Sequence, residues 1–244
     1  NPHRLPIKSW KQELTFAGAG LTGMTLYYLM ENIALTYSQA SNVGVIVSIA
    51  PVFTAITAHI FLKEEGKLRP AFFMGCVIAL IGISLISFSG TTMHLNPIGD
   101  LLSVGGAIIW SFYSVLSKKI GSFGYSVVQA TRRTFFYGIL FMIPALFIFD
   151  FKWDLIRFAT PAYLFNIFYL GLGASAICFV TWNMAVRILG AIKTRVYIYL
   201  APVVTAVTSV IILHEKITFL SGLGILLVVG GLLLSEQKKK FFSI

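Results

Sequence analysis

APVFTAITAHIFLKEE, residues 50–65, recurs as APVVTAVTSVIILHEK at residues 201–216, with nine of sixteen positions identical. The match runs backwards at the same offset of 151, pairing Ala40 with Ala191, Ala34 with Ala185, Asn32 with Asn183 and Gly20 with Gly171. After a two-residue slip it runs forwards, Gly75 and Gly82 pairing with Gly224 and Gly231. A repeat of this length is the first fact a fold must accommodate, because each copy is one structural unit.

Both copies are apolar throughout, and so is the chain: of its 244 residues, 57% are hydrophobic and 11% charged, with a mean hydropathy of +0.84. A soluble domain carries roughly a quarter charged residues, so a soluble fold is excluded. A helix needs about 20 apolar residues to cross the hydrocarbon core. Eight stretches qualify, at about 14–36, 41–62, 70–89, 98–117, 126–149, 161–186, 192–213 and 217–235, with an outer loop at about 150–161. None shows the strict alternation of a barrel strand. The sequence therefore predicts an all-α membrane protein, a bundle of eight transmembrane helices.

Spans one to three repeat as spans six to eight. Equivalent spans are five apart, an odd number, so each copy crosses the membrane in the opposite sense to its mate. Inverted repeats of this kind are a plan of secondary transporters, whose halves exchange inward-facing and outward-facing roles around one site. Glu64 and its mate Glu215 are accordingly expected at opposite membrane edges. Spans four to eight make a full unit of five, residues 95–244, whereas residues 1–94 hold only three spans. The opening Asn-Pro-His-Arg-Leu-Pro is polar and has no initiating Met; an upstream segment with two spans would complete ten, and without one the pocket would be open on one side.

The formal charge of +10 could signal nucleic acid or orientation. With both termini on one side, that side holds sixteen of the nineteen Lys and Arg residues, among them Lys63, Lys118, Lys119, Arg187, Lys193 and Lys238 to Lys240, with Arg132, Arg133 and Arg195 just inside it. Only Lys152, Arg157 and Lys216 fall on the other. Short basic loops stay in the cytoplasm, so both termini are expected there, in the cell inner membrane, and nucleic acid is not expected as a partner. Cys76 and Cys178 lie inside spans as small apolar residues, with no disulfide framework.

Pro51 and Pro202 hold equivalent midspan positions, and each removes the hydrogen bond to a carbonyl four residues earlier, at Val47 and Ile198. They are candidate hinges, or else tolerated kinks packed against neighbours. Small residues at close-packing intervals, such as Ala19 with Gly23 and Gly75 with Ala79, read as helix contacts. Trp110 and Tyr113 sit three residues apart, on one helix face, and Trp110 lies mid-span, away from the interfacial belt. With Trp182, Tyr197 and Tyr199 they are the candidate cavity lining, since buried Trp and Tyr need a partner for their polar edge. Tyr27, Tyr28 and Tyr37 read as edge residues. An ionisable group inside a span is a candidate functional site. Glu31, beside Asn32, could carry a coupling proton or could reach the outer interface. Arg195, with Arg132 and Arg133, could attract an anion to the cytoplasmic mouth or could simply snorkel.

No catalytic residue, metal site or cofactor is expected. His3, His59, His94 and His214 are far apart, and no paired-histidine helix, phosphate-binding glycine loop or nucleophile elbow occurs.

The runs YSQASNVGVIVSIAPVFTAITAHIFLKEE (37–65), LLSVGGAIIWSFYSVLSKK (101–119) and YIYLAPVVTAVTSVIILHEK (197–216) resemble three hallmark stretches of the drug/metabolite transporter superfamily, in its EamA-like branch. The resemblance spans essentially the whole chain. It implies a ten-helix carrier made of two inverted five-helix repeats with cytoplasmic termini; this sequence departs from it by lacking the first two helices. It also implies a central cavity, to which Trp110, Tyr113, Tyr197, Tyr199 and Pro202 would contribute, with Asn32 and Asn183 as matching polar positions. The expected function is a secondary carrier, not an enzyme, that exports small organic metabolites such as amino acids by alternating access. Alternatives are an antiporter of anionic or phosphorylated metabolites and a non-transporting scaffold. The expected partners are a small-molecule substrate and the lipid bilayer; the sequence does not fix the oligomeric state, and a monomer is compatible with it.

Overall fold

Lipid leaves backbone amides no partner but each other, and every regular element among the described residues is helical. The computed structural model describes residues 9–62, 70–88, 96–149, 159–213 and 218–236. The outer loop at 150–161 lies mostly outside this set, as do Glu64, Glu215, His3, His94, His214 and the terminal lysines.

The helices are α1 Trp10–Gly20, α2 Tyr27–Tyr37, α3 Ala40–Val47, α4 Ala50–Phe61, α5 Pro70–Ser87, α6 Pro97–Gly121, α7 Val127–Ile148, α8 Pro161–Phe168, α9 Cys178–Leu189, α10 Ala191–Val196, α11 Leu200–Leu213 and α12 Phe219–Glu236. Starts follow side-chain chemistry. Ser9, Asn96 and Ser126 each accept from backbone N–H groups of the first turn, and Pro97 occupies the position where its missing donor costs nothing. Five stretches are long and apolar enough to cross a membrane: Asn42–Phe61, Pro70–Ser87, Pro97–Gly121, Val127–Ile148 and Pro161–Leu189. The stretches expected at 14–36, 192–213 and 217–235 are also helical but fall short of that measure; Phe219–Ser235 is apolar but shorter.

Several helices depart from ideal geometry, and they do so at repeat-related places. α1 runs into α2 through a wide turn, Leu21–Leu26, where the Tyr27 N–H bonds back five residues to the Thr22 carbonyl. α8 runs into α9 through Tyr169–Ile177, where the Cys178 N–H bonds back five residues to the Gly173 carbonyl. Tyr27 and Cys178 are mates at the offset of 151, as are Thr22 and Gly173. Such wide turns are rare, and many of them occur at functional sites. The proline helices break in step as well. Ile49 donates to the Ile46 carbonyl and Leu200 to the Tyr197 carbonyl, two tight three-residue bonds at mated positions that replace the α pattern just before each proline.

α5 and α12 cross antiparallel at four glycines. A methyl group on Gly82 would lie 2.6 Å from the Gly224 carbonyl oxygen, and one on Gly224 the same distance from the Gly82 carbonyl oxygen. Gly75 and Gly231 oppose each other in the same way. Nothing larger than hydrogen fits where two backbones meet this closely. Two cores flank this crossing and the aromatic region. One joins Ala55, Phe72, Cys76, Ile83, Val196, Tyr199 and Val228. The other joins Phe16, Trp110, Tyr113, Ile120 and Phe179, with Trp182 packed against it.

Candidate functional site

Three helices deliver aromatic rings to one place, and a fourth adds a cation. On α6, Trp110 and Tyr113 share a face as their spacing requires, with ring centres 5.0 Å apart. On α9, Phe179 and Trp182 share a face likewise, and both rings stand 5.8 Å from Trp110. Tyr27, at the start of α2, comes within 4.5 Å of Trp110. Gly23 lies in the preceding wide turn, and the Tyr113 ring occupies the space a side chain there would need. The turn rotates α2 relative to α1, and that rotation carries Tyr27 into the cluster.

Arg195, in the last turn of α10, completes the group. Its guanidinium lies 5.4 Å from the centre of the Trp110 ring and 5.9 Å from that of Trp182. The side chain is 1% exposed, so it does not snorkel to an interface. Among the described residues the ion pair within 4 Å joins Arg133 to Glu13, and Arg195 has none. Its Nε and Nη2, the Nε1 atoms of Trp110 and Trp182, and the Tyr199 hydroxyl, which lies beside the Cys76 thiol, are buried without a hydrogen-bond partner of ordinary geometry. A cation over an aromatic face gains about 2 kcal/mol when desolvated. Burying the charge costs several kcal/mol, and each unmade donor costs about 1–3 kcal/mol more. The rings alone do not offset this, so the cluster is a set of donors short of an acceptor.

Beside it is a satisfied network. Asn183 Oδ1 accepts from the Tyr113 hydroxyl at 2.8 Å and from Ser117 Oγ at 2.6 Å, while its Nδ2 donates to Thr131 Oγ1 at 3.0 Å. Tyr113, Ser117, Thr134, Asn183 and Arg187 line a narrow cleft. This cleft reaches the end of α6, where Lys118 and Lys119 lie. Tyr113 thus belongs both to the cleft floor and to the aromatic cluster.

Glu31 is one helical turn beyond Tyr27, whose hydroxyl donates to its Oε1 at 3.0 Å. It lies within electrostatic reach of Arg195 without touching it.

The structure brings together Trp110, Tyr113, Trp182, Asn183 and Arg195, with Glu31 at the edge and Tyr199 close by. It does not bring in Asn32, which is exposed and bonds the Tyr28 carbonyl of its own helix, nor Tyr197, which is 40% exposed. Pro51 is fully buried; the Pro202 side chain lies outside the described residues. Tyr27, read from sequence as an edge residue, is a member. Sequence reasoning also missed Glu13, 7% exposed, which pairs with Arg133 at 2.9 Å and accepts from the Tyr137 hydroxyl. A carboxylate within a turn of a predicted span start was the available signal.

The sequence matches the EamA-like transporter family over residues 1–88 and 97–236. It is 27% identical to an uncharacterized transporter of Archaeoglobus fulgidus over 90% of this chain and 74% of that protein. It is 28% identical to the uncharacterized transporter YvbV of Bacillus subtilis over 98% and 76%. A protein of Streptantibioticus cattleyicolor named a probable terminal-alkyne amino-acid exporter is 26% identical over 90% of this chain and 71% of its own. Among solved structures, a crystal structure aligns with a TM-score of 0.71 at 22% identity, over 94% of this chain and 77% of that one. At that identity the likeness speaks for the fold alone.

Proposed function

This chain belongs to the EamA-like transporter family, a multi-pass membrane protein of a family that moves small molecules, and from that premise we propose that it is a secondary carrier that exports small organic metabolites, such as amino acids or their relatives, by alternating access. The observation that carries the reading is the pairing of non-α turns and glycine crossings at mated positions. Two halves with equivalent bends, facing each other across α5 and α12, have the parts needed to exchange roles around the Trp110 cluster. The S. cattleyicolor relative's name supports outward movement of amino-acid-like compounds.

The same reading places both termini in the cytoplasm of a cell inner membrane, because the basic residues gather on that edge. It also takes the fold as eight helices of a ten-helix, inverted plan. Span one, α1 to α2, leans on α6 and α7. Its mate, α8 to α9, exposes Tyr163, Phe165, Phe168, Tyr169 and Leu172.

Full-length protein in liposomes loaded with an equimolar panel of amino acids, organic acids and amines tests the proposal. At least one class should leave faster than from protein-free liposomes, and no efflux of any would overturn it. Glu31 is proposed as the carrier of the coupling proton, faced by Tyr27, Tyr28 and Arg195. Glu31→Gln should then keep substrate exchange at equal pH but lose the acceleration given by a pH gradient. A mutant with normal gradient dependence would remove that role.

A further inference from the structure

We propose that Arg195, with the indole N–H groups of Trp110 and Trp182, binds the carboxylate of a zwitterionic substrate, an inference that rests on the transport reading above. Four buried donors of this cluster lack a partner, the guanidinium Nε and Nη2 and the two indole Nε1 atoms, while the Tyr199 hydroxyl close by meets the Cys76 thiol. The two indole rings and the guanidinium lie within 6 Å of one another. What such a group lacks is an anion with acceptor oxygens. A carboxylate matches the planar fork of a guanidinium and leaves lone pairs for the indoles.

The surroundings choose among anions. Glu31, held by the Tyr27 hydroxyl, is within electrostatic reach of Arg195, and the two are not paired. A doubly charged phosphate would meet that carboxylate as a repulsive neighbour. A zwitterion puts its ammonium on the Glu31 side, over the faces of Tyr27 and Trp110, which attract a cation. The site then holds two charges of the protein and two of the ligand, and they sum to zero.

The repeat gives an independent argument. At the offset of 151 the mate of Arg195 is Gly44, and the mate of Glu31 is Trp182. Next to them the halves agree, Asn32 with Asn183 and Ala40 with Ala191. Bends and crossings are thus duplicated, while the two charges that face the aromatic cluster stand where the halves differ. A scaffold that must work in both directions is shared between the halves. A ligand has two unlike ends and needs unlike groups to hold them.

The test is tryptophan fluorescence of the full-length protein in detergent, titrated with an equimolar mixture of the common L-amino acids, with the same amino acids as amides, and with inorganic phosphate. One lost charge-assisted hydrogen bond corresponds to about tenfold or more in affinity. The free acids should therefore act at concentrations about tenfold below the amides, and phosphate should not compete. Arg195→Gln should bring acids and amides together. Arg195→Lys, which keeps the charge but not the fork, should weaken the acids several-fold and leave the amides unchanged, and it serves if the glutamine variant does not fold. No response to any amino acid, equal response to acids and amides in the unaltered protein, discrimination that survives Arg195→Gln, or competition by phosphate would each overturn the inference. Liposomes that move nothing while this binding holds would sink the transport reading alone.

Discussion

Trp10–Tyr37 and Pro161–Leu189 are mates in sequence and share a wide turn at the same place, yet they live in different surroundings. In the first helix Phe16, Ala19, Gly23 and Thr25 are buried, and Thr25 Oγ1 donates to the Gly138 carbonyl of α7 at 3.0 Å. In the second, almost every side chain up to Ile177 is exposed, and Gly171, the mate of Gly20, has nothing within 4 Å of where a side chain would begin. The local conformation is therefore written in the segment itself. Its packing depends on what the rest of the bundle brings to it. In lipid this difference costs little, because an apolar surface facing hydrocarbon gains no hydrophobic stabilisation from being covered.

The sharpest way to break the comparison is a methyl group. On Gly20 it would sit 2.6 Å from the Gly138 nitrogen and 2.7 Å from the Thr134 carbonyl oxygen. Those are backbone atoms that cannot step aside, so Gly20→Ala should destabilise by about 3 kcal/mol, the upper range for overpacking. Gly171→Ala should be neutral or stabilise by up to about 1 kcal/mol, as a helical glycine replaced without a clash does. Unfolding in mixed micelles measures both. Equal costs would mean that the Pro161–Ile177 face is covered in the working protein.

The next contrast is between the mated asparagines. Asn183→Ala removes an acceptor from two hydroxyls and a donor from a third. It should cost about 2 kcal/mol, since buried hydroxyls are left unmade. Asn32→Ala touches only its own helix and should stay within about 0.5 kcal/mol. A larger effect at Asn32 would make the halves more alike than their packing indicates.

The smallest contrast concerns Glu13, whose mate is Leu164. Glu13→Gln should cost about 1 kcal/mol, because Arg133 is partly exposed and the pair is screened accordingly. The loss should disappear when Arg133 is already alanine. A loss that persists in that background would assign the stabilisation to Tyr137 instead.

What could be read from the residues divides along the same line. The repeat, the breaks before Pro51 and Pro202 and the shared face of Trp110 and Tyr113 follow from spacing, because each depends on neighbours along one helix. The place of Tyr27 did not. A wide turn adds a residue to one turn of helix, and beyond Leu26 a count in steps of 3.6 points the wrong way. Arg195 was ambiguous for another reason: a long, flexible side chain near a membrane edge can reach water or fold inward, and two indoles, Trp182 on the preceding helix and Trp110 on one distant in sequence, decide which. Glu13 and Arg133, 120 positions apart, were invisible as a pair in a list of charges.

The glycine crossing of α5 and α12 carries a consequence of its own. Gly75 meets Gly231 and Gly82 meets Gly224, and exchanging each glycine for its repeat mate returns the same two contacts. That self-consistency is the signature of an isologous interface, the kind through which two identical subunits associate. Under the inverted reading proposed above, a half-length unit bearing this face would associate with a second copy of itself through the same four glycines.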